Sequence, residues 1–214
     1  MGGTIMRKFW AVLFAIAVVG ASVGAAQASI GVGGQYLSFG GSDFDGTDAG
    51  MGLEANVLFP AGKAFLLGAS GQWSTHNDAN LSDNTTALGI FAEGRYLFRS
   101  TSGSKLTPFV GVRGGWAKGT QTAQASELGF STGSVDLSTS GFVFGGGAGV
   151  MIALSPSMSL DVNGMIHTVS FGDFHAKGNL DGTPVDDDIP DSKSSGTALQ
   201  LRAGISFKLG SGAK

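Results

Sequence analysis

The chain ends on "TALQLRAGISFKLGSGAK", residues 197–214, and most of this stretch alternates strictly. Leu199, Leu201, Ala203, Ile205, Phe207 and Leu209 occupy one phase, and Gln200, Arg202, Gly204, Ser206 and Lys208 the other. A period of two is that of a β-strand, whose successive side chains point to opposite faces. Two environments accept such a strand. In a soluble sandwich the apolar phase turns inward and the polar phase meets water. In a barrel within a bilayer the apolar phase meets lipid and the polar phase lines the lumen. The rest of the sequence decides between them.

The N-terminus points to export. "MRKFWAVLFAIAVVGASVGAAQAS" opens with Arg7 and Lys8, continues in an apolar run from Phe9 to Val19, and reaches small residues ending Ala26-Gln27-Ala28. This is the pattern of a secretory signal peptide cleaved after Ala28, and the apolar run is too short for a spanning helix. The expected organisation is a signal peptide over 1–28, a barrel over 29–209 and a short tail over 210–214. Without Arg7 and Lys8, eleven Lys and Arg face 16 Asp and Glu, a net charge of −5. A nucleic-acid binder would carry a basic patch instead. The absence of cysteine excludes a disulfide scaffold and thiol chemistry. Glycine, at 37 of 214 residues without a collagen-like period, suits strands that coil tightly and leave lumen space for larger neighbours.

Period-two runs fill the remainder. "GLEANVLFP" sets Leu53, Ala55, Val57 and Phe59 against Glu54 and Asn56, and a "PAGK" turn with Pro60 and Gly62 follows. "AFLLGASGQW" sets Phe65, Leu67, Ala69 and Trp73 against Ser70 and Gln72, and "LGIFAEGRYLF" opposes Leu88, Ile90, Ala92, Tyr96 and Phe98 to Glu93 and Arg95. "PFVGVRGGW", "GFVFGGGAGVMIAL" and "LDVNGMIHTVSF" continue the scheme, with Arg113, Asp161, Asn163 and His167 on the polar phase. The opening "IGVGGQYLSF" changes apolar phase between Val32 and Leu37, which predicts a bulge near Gly33-Gly34. That makes eight strands. Tight spacers at 60–63, 99–105 and 155–158 alternate with long polar ones near 40–50, 75–86, 118–140 and 172–196. Short turns at one end and long loops at the other are the mark of an up-and-down outer-membrane barrel.

The aromatics sort by height. With the short turns down, Phe59, Phe65, Tyr96, Phe98 and Phe207 fall low, while Trp73, Trp116, Phe142 and Phe171 fall high, the spacing of two interfacial girdles. The charges sort by face: Glu54, Glu93, Asp161, Arg95, Arg113 and Arg202 all oppose the apolar phase. An eight-stranded barrel is just wide enough for side chains to fill it, so these six are expected to pair in the lumen, alongside Leu66, Phe91, Leu97 and Phe109. A secreted lipocalin-like barrel would leave the arginines solvated and has no reason to sort its aromatics by height.

The fold class read from these patterns is all-β, an eight-stranded antiparallel transmembrane barrel behind a signal peptide. "RAGISFKL", with Arg202, Gly204, Phe207 and Leu209, resembles the C-terminal signal by which the assembly machinery recognises outer-membrane proteins, except that "GSGAK" follows. "TPFVGVRGGW" and "FGGGAGVMIALSPSMSLDV" resemble the fifth strand and the sixth-to-seventh hairpin of the small OmpA/OmpX-type barrels. The resemblance implies an outer-membrane location, and contact with outer-membrane lipids, lipopolysaccharide and the barrel-assembly machinery. It also implies a monomer.

No constellation for catalysis, cofactor or metal stands out. His167 and Ser170 fall on opposite phases, so His167 belongs to the lumen filling rather than to a hydrolase pair. Asp181, Asp186, Asp187, Asp188 and Asp191 lack EF-hand spacing and read as a solvated acidic loop. The glycine clusters are followed by no Lys-Ser/Thr and no helix, so they are not phosphate loops. Three classes of function follow: a structural or surface-interaction barrel acting through its loops, which the residues favour; a narrow pore for small or apolar solutes; and a lipid-modifying enzyme.

Overall fold

A computed structural model describes residues 28–77, 84–98 and 104–209; the expected signal peptide, save Ala28, and the expected tail 210–214 lie outside them. Ten strands form one antiparallel sheet: β1 (Ser29–Gly40), β2 (Gly50–Pro60), β3 (Phe65–His76), β4 (Thr85–Leu97), β5 (Leu106–Gln124), β6 (Gly133–Ser155), β7 (Met158–Phe171), β8 (Phe174–Leu180), β9 (Thr183–Ile189) and β10 (Ser194–Lys208). The order β5-β4-β3-β2-β1-β10-β7-β6 closes on itself through β5–β6, so β1–β7 and β10 make an eight-stranded barrel. Closure leaves none of these eight strands with an open edge within the barrel wall.

The apolar phase faces outward. Leu53, Leu67, Val112, Phe142, Phe144, Ile166 and Leu201 are all at least half exposed, whereas Glu54, Arg95, Asp161 and Arg202 are buried. A soluble barrel would show the reverse. Ala55 and Val57 share the outward phase but are buried, standing opposite the larger Val32 and Ile30 in the register.

Three expectations need correction. First, β1 carries no bulge: it pairs with β10 without a break from Ser29 to Gly40, and with β2 from Ser29 to Leu37. The change of apolar phase marks a change in the lumen instead. Val32 faces out, while Leu37 faces an apolar cluster in the upper lumen with Phe91, Val143, Val169, Phe171 and Ala198. Second, Phe171 belongs to that cluster at 8% exposure and not to the upper girdle. Third, the spacers at 118–140 and 172–196 are not irregular loops. β5 and β6 run on as a hairpin to Gln124 and Gly133, pairing Gln124 with Ser134, and β8 and β9 form a second hairpin that adds to the edge of β6. The polar, β-branched composition of these stretches concealed strands that have no lipid to face.

Candidate functional site

The lumen is layered. At its centre the six charged residues form one continuous chain of alternating sign: Glu93, Arg95, Asp161, Arg202, Glu54, Arg113. Arg95 donates from Nε to Glu93 at 2.5 Å and from Nη1 to Asp161. Arg202 donates from Nη1 to Asp161 at 3.2 Å and faces Glu54 with Nε at 3.1 Å. Arg113 donates from Nη1 to Glu54 at 2.6 Å. Three carboxylates and three guanidinia cancel, which is the condition under which buried charge is tolerable.

Neutral amides fasten this chain to the wall. Gln72 accepts from Arg113, and Gln200 donates to Gln35 at 2.5 Å and to Glu54 at 3.0 Å. Asn163 donates to Asp161 at 3.1 Å. Two aromatic faces complete the packing, with Arg113 4.1 Å from the Phe91 centroid and Arg95 4.5 Å from that of Phe109. Cation–π contacts of this kind strengthen as water is excluded. The sequence places Gln72 and Gln200 on the polar phase but does not single out Gln35 or assign any of the three to the charge chain. Gln35, Gln72 and Gln200 all stand on the polar phase of their strands, and that phase was the signal available.

Glycine makes the room. A Cβ at Gly149 would lie 2.6 Å from Cζ of Phe109, so the bare backbone of β6 admits the ring on which Arg95 rests.

Above the charges the lumen closes on apolar groups. The turn Ser42–Phe44 folds over the mouth, where Phe44 stacks on Phe39 at 5.1 Å and meets Phe171 edge-on at 6.2 Å. His76 is buried beneath it, with Nε2 3.0 Å from Ser74 Oγ and Nδ1 3.2 Å from the Asp48 carbonyl. This Ser–His pair escaped sequence reading, although a spacing of two residues places both on one face. Ser74 is wholly buried, and its histidine is held by a carbonyl rather than a carboxylate. His167 faces the lumen and Ser170 the exterior, so they do not meet. Among the described residues no group of three or more His, Asp or Glu side chains is placed to hold a metal ion.

The outer surface carries the aromatics. Phe65 meets Tyr96 edge-on at 5.1 Å and Tyr96 meets Phe98 at 5.3 Å near the turns, and Phe207 and Phe59 lie at the same end of β10 and β2. Trp116 stands opposite Phe142 in the register near the loops, and Trp73 occupies the same end of β3. Of the C-terminal residues, Arg202 and Gly204 face inward while Phe207 and Leu209 are exposed at the turn end.

Beyond the barrel, β5, β6, β8 and β9 project as a four-stranded sheet. β4 accompanies β5 no further than Thr120, so the sheet stands free above that row. Asp181, at φ 49°, accepts from the backbone N–H of Ser131 at 3.0 Å and of Thr132 at 2.7 Å, locking the tips of the two hairpins together. Those two N–H groups hold the Asp181 carboxyl below its ordinary pKa. His175 lies between Asp186 at 3.0 Å and Asp188 at 2.9 Å, and Lys177 bonds Asp186 at 3.1 Å and lowers its pKa. Leu128 and Phe130 stand exposed at the tip of the β5–β6 hairpin.

No protein-family model matches the sequence, and no curated protein does. Solved structures match throughout the barrel. Neisserial surface protein A shares 16% identity with a TM-score of 0.60, over 85% of this chain and 97% of that one. A major outer membrane protein from Thermus thermophilus gives 15% and 0.57, over 85% and 99%. Ail, the attachment invasion locus protein of Yersinia pestis, gives 12% and 0.51, over 86% and 99%. With its closed eight-stranded wall, outward apolar phase and buried neutral charge chain, this chain has the fold of the small bacterial outer-membrane β-barrels.

Proposed function

We propose that the protein is an integral outer-membrane barrel with a closed lumen, which acts at the cell surface through its projecting sheet. The observation that carries this reading is the division of the molecule into a plugged barrel and an elaborated loop end. The lumen holds a neutral six-residue charge chain below and an apolar cluster above. The ordered structure beyond the membrane, by contrast, is built from four strands, two locked hairpin tips and exposed apolar residues. A barrel needs none of this to fold, so the sheet is best explained by contact with a partner outside the cell. Two of the similar structures bear names of surface and attachment proteins, which agrees with this reading without assigning the partner. Outer-membrane lipids, lipopolysaccharide and the barrel-assembly machinery are the partners proposed for the barrel itself, and the chain is proposed to act as a monomer without enzymatic activity.

The test uses cells and bilayers together. Amine labelling of intact cells should reach Lys177 and Lys193 and spare Lys63 and Lys105. The purified protein in a planar bilayer should give no steady conductance. Unlabelled loop lysines, or stable channels from the unaltered protein, would favour the pore reading instead.

A further inference from the structure

Nearest the turns the inward positions are mixed: Leu58, Leu66, Leu97 and Met151 are apolar, while Thr107, Ser159 and Ser206 are polar. Leu97 lies below Arg95, and Leu58 lies below Asn56. With Leu66, Met151 and Leu209 they wall a cavity of about 560 Å³ that opens at the turn end of the barrel. This volume is in the range of small-molecule sites. The apolar part of this wall, open to water, gains from an apolar occupant, since covering it removes that surface from solvent.

The mouth identifies what accompanies the apolar part. Lys208 lines the cavity at its rim, following the inward Ser206 on β10, and Lys63 and Lys105 stand exposed on the neighbouring turns. Among the described residues of this end, Lys63, Lys105 and Lys208 are the charged side chains, and all three are cationic. Every described acidic residue belongs to the lumen chain or to the loop end. Described rim charges of one sign beside a largely apolar wall select an anion with an apolar body and disfavour a cationic or purely polar ligand.

We propose that this vestibule binds a single-chain anionic amphiphile, a medium- or long-chain carboxylate. Its chain lies along Leu58, Leu66, Leu97 and Met151, and its carboxylate lies at Lys208. This site is separate from the loop end and independent of any surface partner.

The experiment uses the full barrel in phosphatidylcholine nanodiscs with dansyl-undecanoate as the fluorescent probe. Empty discs measure partition into lipid. Saturable binding above that background is expected, displaced by dodecanoate and much less by dodecanol. Leu97→Trp, which fills the cavity without adding charge, should abolish it. Lys208→Gln should weaken it roughly twofold to fivefold, the ratio a partly exposed charge contact is worth. The shift in gel mobility between unheated and heated samples verifies that each variant is folded. If Leu97→Trp does not fold, Met151→Phe serves as the cavity-filling variant. A signal equal to that of empty discs, equal displacement by dodecanol, or binding unchanged in the cavity-filling variant would overturn the assignment.

Discussion

Gly33 and Gly204 stand opposite one another in the β1–β10 register, and on either side of this pair stand Glu54 and Asp161. The row reads Glu54, Gly33, Gly204, Asp161 across four adjacent strands. The two glycines leave an open stretch of lumen wall between two carboxylates, and the Arg202 guanidinium spans it, reaching Glu54 at 3.1 Å and Asp161 at 3.2 Å. The central link of the charge chain therefore depends on two residues that have no side chains.

Adjacent glycines should respond oppositely to one methyl group. A Cβ at Gly33 would lie 2.5 Å from the Ala203 carbonyl oxygen and 2.7 Å from Gly204 Cα, so the backbone itself must move. Gly33→Ala should cost about 1–3 kcal/mol, the usual penalty of overpacking. At Gly34 the same atom meets nothing within 4 Å, and its φ is not in the left-handed region. Gly34→Ala should be neutral or stabilise by about 0.4–1 kcal/mol through the unfolded chain. Urea unfolding in detergent or lipid measures both.

The charge chain predicts an order of stabilities. Glu93 stands at one end of the chain with Arg95 as its ion-pair partner. Arg95→Met strands that buried carboxylate and should cost about 3–5 kcal/mol. Adding Glu93→Leu removes the stranded charge and should recover much of the loss, because Asp161 keeps Arg202. Arg113→Ala should fall at the lower end of the same range, since Glu54 retains Arg202 and Gln200. Lys118→Ala, on the exposed outward phase of β5, should change stability by no more than about 0.5 kcal/mol. An additive result for the Arg95/Glu93 double variant would show that the two do not act as a pair.

Barrel closure has its own signature. β5 and β6 hold the barrel shut through a long ladder that includes Leu106 opposite Ile152 and Trp116 opposite Phe142. An unheated sample should run differently from a boiled one on an SDS gel, because a closed barrel has no edge at which detergent unfolding can begin. Identical mobilities would contradict a closed, lipid-adapted wall.

The barrel was legible in the sequence because a bilayer imposes a strict rule on each strand, and the six lumen charges share one phase for the same reason. Leu37 and Phe171 broke the reading where the lumen itself changes character. An apolar residue at an inward position looks like a change of register when the sequence is assumed to have one polar face throughout. The loop end was hidden differently. In β8 and β9, His175, Lys177, Asp186 and Asp188 pair across the ladder on one face. β8 alternates them with Phe174, Ala176 and Leu180 over only seven residues, and in β9 the run Asp186-Asp187-Asp188 carries charge onto both faces and breaks the alternation. Gln200 on β10 reaches Gln35 on β1 and Glu54 on β2, a convergence that only the closed barrel creates.

The contact between the two hairpin tips should open in acid. Asp181 is held below its ordinary carboxylate pKa by the N–H groups of Thr132 and Ser131, and Asp186 by Lys177. A depressed folded-state pKa means that the ionised form favours the closed contact. Its contribution is complete above the unfolded value of about 3.9 and is lost as pH falls through the lower folded value. Neutral and mildly acidic conditions should therefore leave the tips locked, and strong acid should release them while the closed barrel wall remains. Amide hydrogen exchange at Ser131 and Thr132 reads this directly, slow at pH 6 and accelerated, relative to the intrinsic rate, below pH 4. Asp181→Asn keeps a residue that tolerates the positive φ but removes the titrating charge. The variant should exchange faster at pH 6 and lose the extra acceleration below pH 4. An unchanged pH profile in Asp181→Asn would mean that another group controls the contact.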